Sequence, residues 1–140
     1  MSRLMIVEAS QALRIGLRMI FSLDQHLEIV ADAQSATSAL LLAHIHAPDV
    51  IVLDVDMADG DWSLQKLVEF QPTCRIIVLT IRPGREDHQR LMSMGAFACV
   101  EKRASPQDLL NAVTQASLLA QAMQPVQAIT PVLQVAPQTQ

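Results

Sequence analysis

The chain has 140 residues, 51% of them hydrophobic, which suits a single domain with one real core. Ten basic against fourteen acidic residues give a formal charge of -4, scattered along the chain. That excludes the basic stripe by which a segment binds nucleic acid or anionic membrane directly.

Short apolar runs alternate with longer segments of helical period. Leu4-Met5-Ile6-Val7 predicts a strand, and no signal-peptide stretch or run of membrane-spanning length surrounds it, so a cytoplasmic protein without membrane contact is expected. Behind Ser10, a predicted N-cap, Ala12, Leu13, Leu17, Ile20 and Phe21 recur at helical spacing. Leu27 to Ala31 predicts a second strand, and Ser35 or Thr37 opens a second helix carrying Ala39, Leu40, Leu42, Ala43 and Ile45. His44 and His46, two apart on that helix, read as surface residues. Pro48 and Asp49 punctuate before Val50-Ile51-Val52-Leu53, a third strand ending in Asp54. Asp56, Asp59 and Asp61 read as a solvated loop, with Asp61 near the start of a helix from Gly60 to Phe70 that Pro72 closes.

The run Arg75 to Leu79 delivers Thr80, residues 81–84 form a loop, and Arg85 to Met94 a helix stopped by Gly95. Phe97 to Glu101 delivers Lys102. Ser105-Pro106 then combines an N-cap with a proline at the first helical position, opening a last helix through about Gln121. Cys74 and Cys99 lie in or beside strand-like runs, without a CxxC pair or metal-type spacing to any histidine, and read as small buried hydrophobes in a reducing compartment.

Alternation of this kind predicts an α/β protein: a doubly wound, five-stranded parallel sheet in the order 2-1-3-4-5 with five helices on its two faces, a flavodoxin-like fold. In such sheets ligands sit at the carboxyl ends of the strands, where Glu8, Asp54, Thr80 and Lys102 all fall. A carboxylate, a hydroxyl and an ammonium group on one edge are what transfer of a phosphoryl group needs. Each also has a plainer reading: a solvated strand-end acid for Glu8, a turn acid or helix cap for Asp54, a loop cap for Thr80, a surface lysine for Lys102.

Beyond Asp108 the chain carries no charge. Leu109, Leu110, Ala112, Val113, Ala116, Leu119, Ala120 and Met123 give the last helix a broad apolar surface, either an ordinary core face or a surface for homodimerisation or for a partner. Residues 122–140, uncharged and rich in proline and glutamine, read as a linker or tail after a domain of residues 1–121.

The strand-end residues, with the wording Pro48-Asp49-Val50-Ile51-Val52-Leu53-Asp54, Met57, Ile77-Val78-Leu79-Thr80, Gly95-Ala96 and Lys102 followed by Ala104-Ser105-Pro106, resemble the receiver domains of two-component response regulators. The resemblance spans roughly residues 3 to 120 and is nearest to receivers that precede a LuxR-type helix-turn-helix output domain. It implies that Asp54 accepts a phosphoryl group from a sensor histidine kinase's phosphohistidine, that Lys102 pairs with the phosphate, and that Thr80 is the switch hydroxyl. It also implies Mg2+ held by Glu8, Asp54 and the backbone carbonyl of Asp56. Contact with DNA would come only through an output domain outside these residues.

The chain departs from the family pattern at named places. Glu8-Ala9 stands where two adjacent acids are usual, which implies weaker Mg2+ binding. Cys99 replaces the aromatic three residues before the lysine, Ala58 the proline after Met57, and Trp62 a glycine near Asp61. Three readings follow: a phospho-accepting receiver, which is not an enzyme in the ordinary sense; a degenerate receiver acting as a phosphorylation-independent interaction or dimerisation module; and, remotely, a small haloacid-dehalogenase-like phosphatase, for which Asp54-Val55-Asp56 offers the motif but nothing beyond Lys102 offers the further acidic pair.

Overall fold

A computed structural model describes residues 1–82 and 84–135, with side chains described through residue 120. Its elements in chain order are β1 (Ser2–Val7), α1 (Gln11–Phe21), β2 (Leu27–Ala33), α2 (Ala36–His46), β3 (Val50–Asp54), α3 (Gly60–Phe70), β4 (Arg75–Thr80), α4 (Arg85–Ser93), β5 (Ala98–Glu101) and α5 (Pro106–Val135). The strands form one parallel sheet in the order β2-β1-β3-β4-β5, as the alternation predicts.

The runs of Val, Ile and Leu are strands because both faces of a parallel sheet are covered and every position must be apolar. Their period of two divides them between two cores. Met5, Val7, Ile51, Leu53, Ile76 and Val78 pack against Ala39 and Ala43 of α2, Leu64 and Leu67 of α3, and Leu91 of α4. Leu4, Ile6, Val50, Val52, Ile77 and Leu79 pack against Leu17 and Phe21 of α1 and Leu109, Val113 and Ala116 of α5. Fully burying one such side chain contributes about 1.5–3 kcal/mol. α4 is the exception among the helices, since Leu91 is its one buried residue.

Local chemistry sets the helix starts. The Ser10 hydroxyl accepts from the backbone N–H of Leu13 at 3.3 Å. Ser35, not Thr37, caps α2, because Ser35 and Ser38 satisfy each other's backbone N–H groups in a capping box. Ser105 Oγ accepts from the Asp108 N–H at 3.1 Å, with Pro106 opening α5. After α4, Gly95 takes φ +111°, and a Cβ there would lie 2.8 Å from Cγ1 of Val68.

The last helix runs to Val135, past Gln121 where the sequence reading ends it. Gln, Ala, Met and Leu are good helix formers and no glycine interrupts them. Pro125 and Pro131 each remove an N–H, at about 3 kcal/mol in a helix interior, yet they do not end it. Residues 136–140 of the expected tail lie outside the described residues.

Strand register aligns the carboxyl edge. Val7 pairs with Leu53, Asp54 with Leu79, and Thr80 with Glu101. Glu8, Asp54, Thr80 and Lys102 therefore leave four strands within one residue of the same level.

Candidate functional site

Asp54 ends β3, buried like the rest of that strand, with 4% of its side chain exposed. Its Oδ1 accepts from the Asp56 N–H at 2.8 Å, a tight turn that follows directly from the strand. Its Oδ2 lies 2.9 Å from Nζ of Lys102, which the Lys102 N–H to Thr80 carbonyl bond of 2.9 Å holds at the sheet edge. Glu8, equally buried, accepts from the Ser10 N–H at 3.0 Å, so the start of α1 fixes its carboxylate.

Thr80 is fully buried. Its hydroxyl donates to Asp56 Oδ1 at 3.2 Å and accepts from the Arg82 N–H at 3.0 Å. Asp56 gathers further partners: Oδ2 accepts from the Ile81 N–H at 2.6 Å and lies 3.7 Å from Lys102 Nζ, and Oδ1 lies 3.5 Å from Arg82 Nε. Arg82 also reaches Asp61 at 4.0 Å and Asp87 at 3.7 Å, so the loop after β4 is tied to the starts of α3 and α4.

Three carboxylates thus face one ammonium group in a place with little water. Burial raises the Glu8 carboxyl above its ordinary range; the Ser10 N–H opposes the shift, while a hydrogen bond to Asp54 and its charge add to it. For Lys102 burial works against the charge, but the hydrogen bond to Asp54 and the charges of Asp54, Glu8 and Asp56 outweigh it and hold the ammonium above its ordinary range. Lys102 is therefore protonated throughout the neutral range.

The geometry brings together all four strand-end residues named from the sequence. It corrects the reading of Asp56, whose side chain is 16% exposed and turned into the site rather than solvated in a loop. The turn that follows the last ladder bond, from Val55 N–H to Leu79 O at 3.1 Å, carries the Asp56 carboxylate into the site, a placement that strand spacing does not give. Arg82 carried no signal either, lying in an irregular loop. Cys99, half-buried, has its Sγ 3.8 Å from the His88 carbonyl, and burial raises its thiol. Trp62 lies partly exposed in the first turn of α3.

Among the described residues no group of three or more His, Cys, Asp or Glu is placed to hold a metal ion by side chains alone. The adjoining carboxylates of Glu8 and Asp54 are the donor chemistry of a hard ion that keeps several of its own waters, as Mg2+ does. No helix among the described residues is long and apolar enough to cross a membrane.

A parallel sheet in this order, with carboxylate, hydroxyl and ammonium converging at its carboxyl edge, defines a flavodoxin-like fold of the receiver kind. The model of the response regulator receiver domain matches residues 4–114, and the chain belongs to that family. The nitrate/nitrite response regulator protein NarL of Escherichia coli (strain K12) is 31% identical over 132 residues, 93% of this chain and 60% of its own. NarP of the same organism is 34% identical over 113 residues, 79% of this chain and 53% of its own. The chain thus spans roughly half to three-fifths of the length of these relatives. A LuxR-family two-component response regulator from Aurantimonas sp. SI85-9A1 superposes with a TM-score of 0.77 at 24% identity, covering 81% of this chain and 83% of that one. The chain is a response regulator receiver domain, similar over most of its length to NarL and NarP.

Proposed function

We propose that the chain is a phospho-accepting receiver, with Asp54 as acceptor, Lys102 as the phosphate's counter-ion and Thr80 as the switch hydroxyl. The observation that carries this reading is the 2.9 Å pair between Lys102 Nζ and a buried Asp54, with Thr80 in the same pocket. One Asp54 oxygen attacks phosphorus, the bond from phosphorus to the donor's imidazole nitrogen breaks, and an acyl phosphate forms while the imidazole leaves with its electron pair. Lys102 neutralises the transferred oxygens, and the surrounding core keeps Asp54 in line. Glu8, Asp54 and the Asp56 carbonyl would hold Mg2+, which when bound supplies further charge neutralisation.

The donor in this reading is a sensor histidine kinase, the setting is the cytoplasm, and DNA is reached through an output domain that follows the receiver of residues 1–121. Residues 122–140 are then the connecting segment. The LuxR-family relatives support that output, one being described as a DNA-binding response regulator from Staphylococcus aureus. Homodimerisation through α5 is supported by Leu118 and Leu119, large apolar side chains exposed on it.

A second reading, a degenerate receiver that works without phosphorylation, is favoured by Ala9 in place of an acid and by Thr80 being already hydrogen-bonded to Asp56. Trp62 fluorescence during titration with Mg2+, followed by beryllofluoride or acetyl phosphate, separates the two, with Asp54→Asn as control. The receiver reading expects a Mg2+-dependent change and a phosphoprotein by mass, both absent in the variant. Neither signal in the unmodified chain would favour the degenerate module, and sustained phosphate release from a small organic phosphate would favour the phosphatase.

A further inference from the structure

The Asp56 carboxylate is held by four groups of different kinds. A hydroxyl (Thr80, 3.2 Å), a backbone N–H (Ile81, 2.6 Å), an ammonium (Lys102, 3.7 Å) and a guanidinium (Arg82, 3.5 Å) all converge on its two oxygens. Such convergence of donors and cations from separate elements is an oxyanion seat. It adjoins the acceptor, because Lys102 Nζ is shared between Asp56 Oδ2 and Asp54 Oδ2, the latter at 2.9 Å. Terminal oxygens of a group bonded to Asp54 would need the donors that Asp56 now occupies.

We propose that the Asp56 carboxylate is a resident anion in the phosphoryl seat: it stands in for the phosphoryl group, holds Thr80 engaged in the unmodified protein, and must leave before Asp54 is modified. The inference rests on the reading of Asp54 as acceptor wherever it names the phosphoryl group. The seat itself is a matter of Asp56 and its donors.

The chain builds this arrangement locally. The turn after β3, closed by the Asp56 N–H bond to Asp54 Oδ1 at 2.8 Å, brings the Asp56 side chain into the pocket of Asp54 while leaving its carboxylate outside that bond. One lysine then serves two carboxylates, with Glu8 adding a third charge nearby. Phosphorylation turns the single charge of the Asp54 carboxylate into the double charge of an acyl phosphate, and like charges at this range repel strongly in a largely buried site. Asp56 is the group free to yield. It stands on a loop, and Arg82, its partner on the outer side, also reaches Asp61 and Asp87 at 4.0 and 3.7 Å and can accompany it outward.

Two consequences distinguish this from an ordinary loop acid. Thr80 and the Ile81 N–H are engaged before any phosphorylation, so the face made by α4 and β5 rests in the arrangement that an anion in the seat maintains. Uptake of phosphoryl by Asp54 is also slowed, by competition with a carboxylate of the same chain.

The test uses the full chain and the variants Asp56→Asn, which keeps shape without charge, and Asp56→Ala, which removes the anchor. In two-dimensional NMR of the unmodified protein, the Ile81 amide proton is expected well downfield, as a short bond to a carboxylate requires, moving upfield in both variants together with a change at Thr80. An Ile81 amide that the substitutions do not move overturns the proposal. Titration with inorganic phosphate is expected to shift Ile81 and Thr80 saturably in Asp56→Ala and at least tenfold more weakly in the unmodified chain, on the order expected for one competing charge; equal binding overturns it. With acetyl phosphate and Mg2+, both variants are expected to phosphorylate about tenfold faster, and an unchanged or lower rate overturns the competition. Should no variant be phosphorylated while the amide and phosphate results hold, the resident anion stands and the acceptor role of Asp54 falls.

Discussion

Nζ of Lys102 lies 2.9 Å from Oδ2 of Asp54, and this pair joins the end of β3 to the residue after β5 across the intervening end of β4. Asp54 is almost fully buried and Lys102 keeps 22% of its side chain exposed, so a partly hydrated cation neutralises a buried acid. Replacing Lys102 by Met keeps the stem and removes the charge. The expected loss is about 1–3 kcal/mol by urea unfolding at neutral pH, less than for a wholly buried pair because the lysine is partly hydrated. Asp54→Asn in the same chain should restore part of the loss. An unfolding midpoint unaffected by Lys102→Met would mean that the pair is not formed in solution.

Gly60 opens α3 where the backbone passes closest to the strand exit. A Cβ there would lie 2.0 Å from the carbonyl oxygen of Val55, a backbone atom that cannot turn aside. Gly60→Ala is expected to cost about 2–4 kcal/mol and to displace the turn holding Asp54 and Asp56, an overpacking effect with a backbone shift. Thermal unfolding and the Ile81 amide shift measure the two parts, and a folded variant with both unchanged contradicts the close approach.

Burial pushes the Cys74 thiol up to about 12, with the Asp49 charge adding to the shift and Arg75 opposing it. The sign is that of a raised group: the stabilising contribution is full below the ordinary thiol range and is lost as pH rises from there towards 12, because the unfolded chain ionises first. Relative to Cys74→Ala, the unmodified protein should lose stability at about 1 kcal/mol per pH unit above pH 9. Parallel stability curves for the two proteins from pH 8 to 11 would contradict this. A thiol reagent should react with Cys74 slowly in the folded protein and readily in denaturant.

Arg82 makes three ion pairs at 3.5 to 4.0 Å, and about a third of its side chain is exposed. Such pairs contribute little individually, so Arg82→Ala is expected to destabilise by less than about 1 kcal/mol at low salt, the difference vanishing near 1 M salt. Urea titrations at both salt concentrations measure it. A difference that persists at high salt would assign the effect to packing of the arginine stem.

Much of the architecture was legible because each buried strand is an uninterrupted apolar run, and because Glu8, Asp54, Thr80 and Lys102 each terminate or follow one. Parallel register then brings strand ends together with no further information. Asp56 and Arg82 were not legible in the same way, since each owes its place to a turn geometry and to partners distant in the chain. The start of α2 was ambiguous between Ser35 and Thr37 because the reciprocal partner is Ser38 rather than a glutamate or glutamine. The end of α5 was misjudged because its prolines weigh against helix at two positions only, while their neighbours favour it.

That α4 buries a single residue, Leu91, has a bearing on where this protein yields. β3 is sealed by a core on each face, so Asp54 is a fixed point. α4 follows the loop that carries Ile81 and Arg82, and it has the least apolar area to lose on detaching. Local opening is governed by such differences in burial rather than by distance from a ligand. A change of charge at the sheet edge would therefore be expressed first as a shift in the local unfolding equilibrium of α4, leaving the sheet that senses it unmoved.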